Sequence, residues 1–337
     1  MIHNNKFFFK KLKAIVFIGQ SDIFDQLIKI NNNLSLKTII ITSEDQSKII
    51  DKKKVKFSIF NKIDKKFQNF IVKETTLENT LFISIGARII FTKKNIENFF
   101  KDNLINFHLT RLPLDSGGAD ISWRIMREDR IDNQLCHLVD ENIDTGPIIY
   151  NKPTLIPKNY STPKEFLDYK LSRFLEFYAD FIKKLTKKEK FELRPQINYL
   201  GRYNPRLNAE IDGLIDWNMN SYDLINFINA FEEPYKGASS YLNNGSYGKL
   251  YLKDVQLHGG DSSNHPFMSG IVSRHDGGWI VVSTTGKHML LIEKVLNKKG
   301  KNIIDKIKVG DRFYTPSKEL GILKEKKRNY NSKGFIK

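Results

Sequence analysis

Ala14-Ile15-Val16-Phe17-Ile18-Gly19 is an unbroken apolar run closed by a glycine. A strand with one wet face alternates polar and apolar residues. A run that is apolar throughout reads instead as a strand buried on both faces, as in a parallel sheet. Working outward, the pattern recurs. Ser21 to Ile30 has helical spacing at Phe24, Leu27 and Ile28, and Lys37-Thr38-Ile39-Ile40-Ile41-Thr42 is a second strand. Leu81-Phe82-Ile83-Ser84-Ile85-Gly86 and Ile105-Asn106-Phe107-His108-Leu109 are two more. Strands alternating with helical stretches build βαβ units, so the expected fold is α/β, a doubly wound and mostly parallel sheet. Ligands of such sheets sit beyond the carboxyl ends of the strands, where Gly19, Gly86 and the residues after His108 fall. The turn Gly19-Gln20-Ser21-Asp22 has a single glycine and no G-x-G-x-x-G, which disfavours a dinucleotide enzyme.

The fourth of these strands carries the chemistry. Side chains alternate between faces, so Ile105, Phe107 and Leu109 share a face that can be buried. Asn106 and His108 share the other. An amide and an imidazole one pleat apart can hold an oxyanion and move a proton. The segment Asn142-Ile143-Asp144-Thr145-Gly146-Pro147 can bring a carboxylate back to that imidazole. Each piece alone has a plainer reading, a satisfied core polar residue or a turn. It is their combination that points to a site. His137, near the same loop, reads as structural.

The chain has 337 residues, 40% hydrophobic and 12% aromatic, enough for two domains with a core each. No apolar run approaches the ~20 residues that cross a bilayer. Phe7-Phe8-Phe9, set among lysines, lacks the longer apolar stretch and cleavage site of a signal peptide. The lone Cys136 allows no intrachain disulfide and makes the cytoplasm the default location. It also makes structural zinc unexpected. Lys and Arg total 55 against 38 Asp and Glu, a formal charge of +17. Such a surface can bind nucleic acid. The lysines are scattered, however, and accompany many Asn, Ile and Phe, so AT-rich coding is the favoured reading. Only Lys324 to Lys337 is a dense basic run.

Thr162-Pro163-Lys164-Glu165 predicts a helix start with a capping box, followed by an apolar stripe through Phe174, Tyr178, Ile182 and Leu185. From about Arg202 the pattern changes. One helix within Trp217 to Phe231 gives way to short alternating segments separated by turns such as Asn244-Gly245 and Asp276-Gly277-Gly278. This half reads as a small β-barrel or sandwich. The expected domains are 1–200, 201–320 and a basic tail, 321–337.

Asn106-Phe107-His108, Leu112-Pro113, Gly117, Trp123 and Asp144-Thr145-Gly146 together resemble the active-site region of the folate-dependent formyltransferases. That family includes methionyl-tRNA formyltransferase, glycinamide ribonucleotide formyltransferase and the amino-sugar N-formyltransferases. Ile83 to Ile90 resembles its pterin-binding strand and loop. Ile215-Asp216-Trp217 and Ala230 to Ala238 resemble its C-terminal barrel-like domain. The resemblance implies formyl transfer from N10-formyltetrahydrofolate to a primary amine, without a metal. It implies Asn106, His108 and Asp144 as catalytic residues, and Gly86, Arg88, Ile90, Val139, Asp140 and Ile143 as the folate-binding set.

The chain also departs from the pattern. Methionyl-tRNA formyltransferases usually follow the histidine with Pro-Ser-Leu-Leu-Pro and then Arg-Gly. Here Leu109-Thr110-Arg111-Leu112-Pro113 stands in that place, and Ser116-Gly117-Gly118 replaces the Arg-Gly pair. The loop Leu114 to Asp120, with Gly117 and Gly118, lies close to the acceptor side in the family, and glycines let backbone approach a ligand closely; Arg111, Gly117 and Gly118 are the expected substrate-binding residues. The favoured acceptor is therefore a small amine, most plausibly an amino sugar on a nucleotide. Initiator Met-tRNA is the alternative, and a non-catalytic nucleic-acid-binding protein is the reading from another class. Glycinamide ribonucleotide formyltransferase resembles only the first half. The sequence is compatible with an oligomer and implies no membrane partner.

Overall fold

The computed structural model describes residues 2–3, 5–44, 56–117, 120–197, 201–325, 330–331 and 334–335. The strands of its two main sheets, in chain order, are β1 (Ala14–Gly19), β2 (Lys37–Thr42), β3 (Lys56–Ile59), β4 (Thr80–Ile85), β5 (Leu104–His108), β6 (Ile131–Leu138) and β7 (Ile148–Leu155), then β8 (Ala238–Leu242), β9 (Leu250–Asn264), β10 (Val272–Asp276), β11 (Trp279–Val282), β12 (Gly286–Leu296) and β13 (Phe313–Tyr314). The helices used below are α1 (Phe24–Asn33), α2 (Lys65–Glu74), α3 (Asp120–Met126), α4 (Pro163–Thr186) and α5 (Ser221–Ala230).

The chain forms two compact units that interleave along the sequence. The first comprises residues 1–116, 131–155 and 169–203; the second takes 117–130, 156–168 and 204–337. The last segment of the second unit begins at Asn204, and two earlier segments belong to it as well. Much of the expected basic tail lies outside the described residues, and its start, through Glu325, ends the helix Ser317–Glu325.

In the first unit seven strands run in the order β7-β6-β5-β4-β1-β2-β3. The pairs from β5 to β3 are parallel, and β6 and β7 are added antiparallel at one edge. Every residue of β1 is buried, as an all-apolar central strand requires. One face of the sheet packs Ile15, Phe17, Ile105 and Phe107 against α1 and the Phe174, Phe177, Tyr178 and Phe181 side of α4. The other face packs Val16, Ile18, Phe82 and Leu104 with Phe67 and Ile71 of α2. Phe7 and Phe9 are wholly buried in the first of these cores, so the lysine-flanked N-terminus is structural.

Strand order reverses between β1 and β4, and there the backbone is tight. Gly19 (φ +124°) and Gly86 (φ +58°) end these strands, and a Cβ on Gly86 would lie 2.6 Å from Gln20 O. Such a reversal leaves a crevice at the carboxyl edge of an open sheet.

The capping box at α4 is formed. Glu165 Oε2 accepts from Thr162 N at 2.9 Å, and Thr162 Oγ1 accepts from Glu165 N at 3.4 Å. In the second unit the antiparallel sheet runs β10-β11-β12-β9-β8-β13 and curls into a half-barrel. Helix α5 is capped by Asn220, whose side chain accepts from Tyr222 N and Asp223 N. It buries Leu224, Ile225 and Ile228. Among the described residues no helix is long and apolar enough to cross a membrane.

Candidate active site

Strand β5 follows the alternation of its sequence. Ile105 and Phe107 are buried on the α4 side, which leaves Asn106 and His108 half-buried on the opposite one. Parallel pairing sets Asn106 beside Ser84 of β4; antiparallel pairing sets it opposite His137 of β6.

The carboxylate comes from the loop after β6. Asp144 has φ +58°, a left-handed conformation that Asp tolerates better than most residues. Two contacts hold this loop. Gln196 Nε2 donates to Asp144 O at 2.9 Å and to Gly146 O at 2.7 Å. Leu138 N donates to Pro147 O at 3.0 Å, which turns the chain back along β6.

The three side chains read from sequence meet here. Asn106 Nδ2 lies 3.4 Å from Asp144 Oδ1, and His108 Nε2 lies 3.7 Å from Asp144 Oδ2. His137 completes the group. Its Nδ1 is 2.7 Å from Leu138 O, and since a carbonyl only accepts, Nδ1 carries the proton. In a neutral ring Nε2 then accepts from Asn106 Nδ2, 3.2 Å away. Asp144 Oδ1 is 3.7 Å from the same Nε2. The carboxylate therefore sits between two imidazoles. Both amide hydrogens of Asn106 are used within the cluster by long bonds, which a better acceptor can displace.

Burial pushes the Asp144 carboxyl up, but a hydrogen bond from His137 in its protonated form and the positive charge of the two imidazoles outweigh that, and its pKa falls below the ordinary aspartate value. Asp144 is thus ionised at neutral pH. A depressed folded-state pKa adds stability above the unfolded value of 3.8, and that stability is lost as pH falls through the lower folded value. The stability of the wild type relative to Asp144→Asn should therefore be lower at pH 3 than at pH 7, declining below about pH 4. Denaturant unfolding of both proteins at pH 7 and pH 3 measures this; an unchanged difference would contradict the assignment.

The sequence alone reads His137 as structural, since only strand register reveals it as the neighbour of Asn106. Gln196 gave no signal at all. His137→Phe should lower kcat about 10²-fold by freeing Asn106 and Asp144 from their common neighbour. It should also cost about 1–3 kcal/mol by leaving the Leu138 carbonyl one donor short. Turnover and thermal unfolding of the same variant separate the two effects.

The remaining residues read from sequence fall as follows. Gly86, Arg88 and Ile90 lie on the loop after β4, and Val139, Asp140 and Ile143 on the loop after β6. Ala87, Ile89 and Val139 belong to one core cluster, which anchors the start of both loops. Their tips are unusually apolar for exposed backbone, with Ile90 71% and Ile143 86% accessible. Asp140 braces its own loop by accepting from Thr145 Oγ1 at 2.7 Å and Asn142 N at 3.2 Å. Val139 and Asp140 also line a cavity of about 280 Å³ with Lys93 and Glu97. Arg111 pairs with buried Asp115 at 2.9 Å, and Arg202 Nε reaches the same carboxylate at 3.1 Å. Gly117 belongs to the second unit, and Gly118 lies outside the described residues.

A family profile described as "Formyl transferase, C-terminal domain" matches residues 209–307. The methionyl-tRNA formyltransferase of Clostridium perfringens (strain 13 / Type A) is 29% identical over 216 residues, 64% of this chain and 66% of that protein. The one from Thermodesulfovibrio yellowstonii is 31% identical over 178 residues, 52% of this chain and 56% of that protein. The chain thus spans just under two thirds of the first relative's length and less of the second's. Residues 209–307 thus carry a formyl transferase C-terminal domain, and the chain is similar in sequence to methionyl-tRNA formyltransferases.

Solved structures agree on the fold. WlaRD, a sugar 3N-formyl transferase in the presence of dTDP and 5-N-formyl-THF, superposes with a TM-score of 0.62 at 18% identity. That match covers 85% of this chain and 98% of the other. An N-formyltransferase from Helicobacter canadensis, in complex with folinic acid and dTDP-3-aminofucose, gives 0.63 at 18% identity, covering 84% and 99%. At this identity these neighbours bear on the fold alone.

Proposed function

We propose that the protein transfers the formyl group of N10-formyltetrahydrofolate to a primary amine. The observation that carries this is the meeting of Asn106, His108 and Asp144 within 3.7 Å contacts at the carboxyl edge of the sheet. The amine attacks the formyl carbon, and negative charge grows on the formyl oxygen. The Asn106 amide turns from its long bonds to donate to that oxygen, an interaction that strengthens as charge develops. Ionised Asp144 favours the charged imidazole of His108, which protonates the departing N10. The proton shed by the attacking amine is taken up by the carboxylate through water.

Two features support folate as the donor. The tight backbone at Gly86 admits no Cβ. The exposed Ile90 and Ile143 are apolar groups that a flat pterin would cover. Gly86, Arg88, Ile90, Val139, Asp140 and Ile143 are the residues we assign to hold it.

For the acceptor we favour an amino sugar carried on a nucleotide. Ser116-Gly117-Gly118 stands where an Arg-Gly pair is usual in the tRNA enzymes, and Arg111 is a cation suited to a diphosphate. Initiator Met-tRNA is the second reading, favoured by the names of the sequence relatives. Incubating enzyme and N10-formyltetrahydrofolate with nucleotide-linked amino sugars and with charged initiator tRNA, scored by mass, decides between them. Salt separates them further, because tRNA binding weakens steeply with ionic strength and nucleotide-sugar binding only mildly. No formylated product from either class would remove the reading.

A further inference from the structure

A second cavity lies wholly within the second unit and has no part in the chemistry above. It encloses about 370 Å³ between the end of α3, the turn before α4, and α5. We propose that it binds a nucleoside monophosphate, with adenine as the base its side chains fit best.

The phosphate end is defined by two cations. Arg130 is half-buried and fixed twice to one residue: Ile156 N donates to its carbonyl at 2.9 Å, and its Nε donates to Ile156 O at 2.8 Å. Its terminal nitrogens enter no hydrogen bond or ion pair among the described residues. Lys158, an exposed residue of the lining, likewise has no ion-pair partner among them. Its turn is pinned on both sides, because Tyr160 N donates to Pro157 O at 3.1 Å and Ser161 N to Glu165 Oε2 at 2.8 Å. Arg130, its guanidinium held by a backbone carbonyl, suits a phosphate because little of its freedom is lost on binding, and Lys158 adds a second positive charge to the lining.

The rest of the lining combines apolar and amide side chains. Ile125 and Phe166, 5% and 3% exposed, supply its buried apolar part. Asn226 and Asn229, three apart on α5, lie on one face of that helix and both line the cavity. The Asn229 amide has no hydrogen bond among the described residues, and an asparagine amide matches the adenine N6/N7 edge with a donor and an acceptor. Glu128 also lines the cavity, but it is exposed and accepts from Asn226 Nδ2 at 2.9 Å, so it serves as an anchor for that amide. The lining charge, two cations against one carboxylate, remains positive. The volume lies within the ordinary range for small-molecule sites, about 300–1,000 Å³.

Calorimetric titration of the full chain with adenosine 5′-monophosphate and with inorganic phosphate tests this. The expected result is one-to-one binding of the nucleotide, with phosphate a weaker competitor. Lys158→Glu and Asn229→Leu should each weaken it about tenfold or more, while His108→Ala leaves it unchanged. Lys158 is exposed, so its variant is expected to fold. Absence of saturable nucleotide binding at millimolar concentration would overturn the proposal. So would binding that His108→Ala abolishes and Lys158→Glu does not, which would place the nucleotide at the formyl-transfer site. Phosphate binding as tightly as the nucleotide would overturn the base assignment.

Discussion

Asn106→Ala, His108→Ala and Asp144→Ala should each abolish most formyl transfer while leaving the protein folded. Removing an oxyanion donor costs about 10²- to 10³-fold in kcat, and that is the expectation for Asn106. Loss of a general acid costs about 10²- to 10⁴-fold, the expectation for His108. Asp144 acts on both neighbours at once, since its two oxygens face Asn106 and His108 separately. The three losses should therefore not add. A double variant should be scarcely slower than the worse of its single variants, because residues that act as a unit fail as a unit. The split between constants is also expected. KM for the folate should change little, since the folate is assigned to the two loops and not to these side chains. Single-turnover kinetics with mass detection, beside circular dichroism for folding, measures all of this. Three variants with near-wild-type turnover would remove the mechanism. A fully additive double variant would remove the coupling through Asp144.

Legibility in the sequence followed the physics of each element. The central parallel strands were plain because burial on both faces forces an unbroken apolar run, as in Ala14–Gly19. The α4 start was plain because its cap is local chemistry, and Thr162 and Glu165 exchange the expected bonds. Strand β6 was hidden. It reads Ile-Asp-Asn-Gln-Leu-Cys-His-Leu, and three polar residues suggest a loop. Asp132 and Gln134 are nonetheless fully buried, because Lys170 of α4 pairs with Asp132 at 3.6 Å and offers its carbonyl to Gln134 Nε2 at 3.4 Å. Partners 36 or more residues away leave no local trace. The same limit hid His137, which faces Asn106 only through antiparallel register. The interleaved units were unreadable for a similar reason. Residues 117–130 and 156–168 have ordinary composition, and only packing assigns them to the second unit. Side-chain alternation, by contrast, needs no distant partner, so Asn106 and His108 were legible as one face of a strand.

Gly146→Ala should be nearly as damaging as loss of Asp144 itself, though alanine adds no charge and removes no functional group. An added Cβ would stand 1.9 Å from Leu138 O and 2.8 Å from its carbonyl carbon. These are backbone atoms at the end of β6, and they cannot swing aside as a side chain would. The same carbonyl receives the His137 Nδ1 proton at 2.7 Å, so displacing it disturbs the ring beside Asn106. The loop could move instead, but Gln196 grips it on both sides of Thr145, through Asp144 O and Gly146 O. Either relaxation carries the carboxylate away from His108. A misplacement of about 1 Å at reacting groups costs about 10²-fold, and overpacking adds about 1–3 kcal/mol of destabilisation. Gly321→Ala is the control, because a Cβ there meets nothing within 4 Å. It should keep wild-type turnover, while Gly146→Ala loses about two orders of magnitude in kcat and several degrees in Tm. Equal turnover in the two variants would mean that the loop can yield without moving Asp144. Close backbone packing at position 146 would then have no hold on the chemistry.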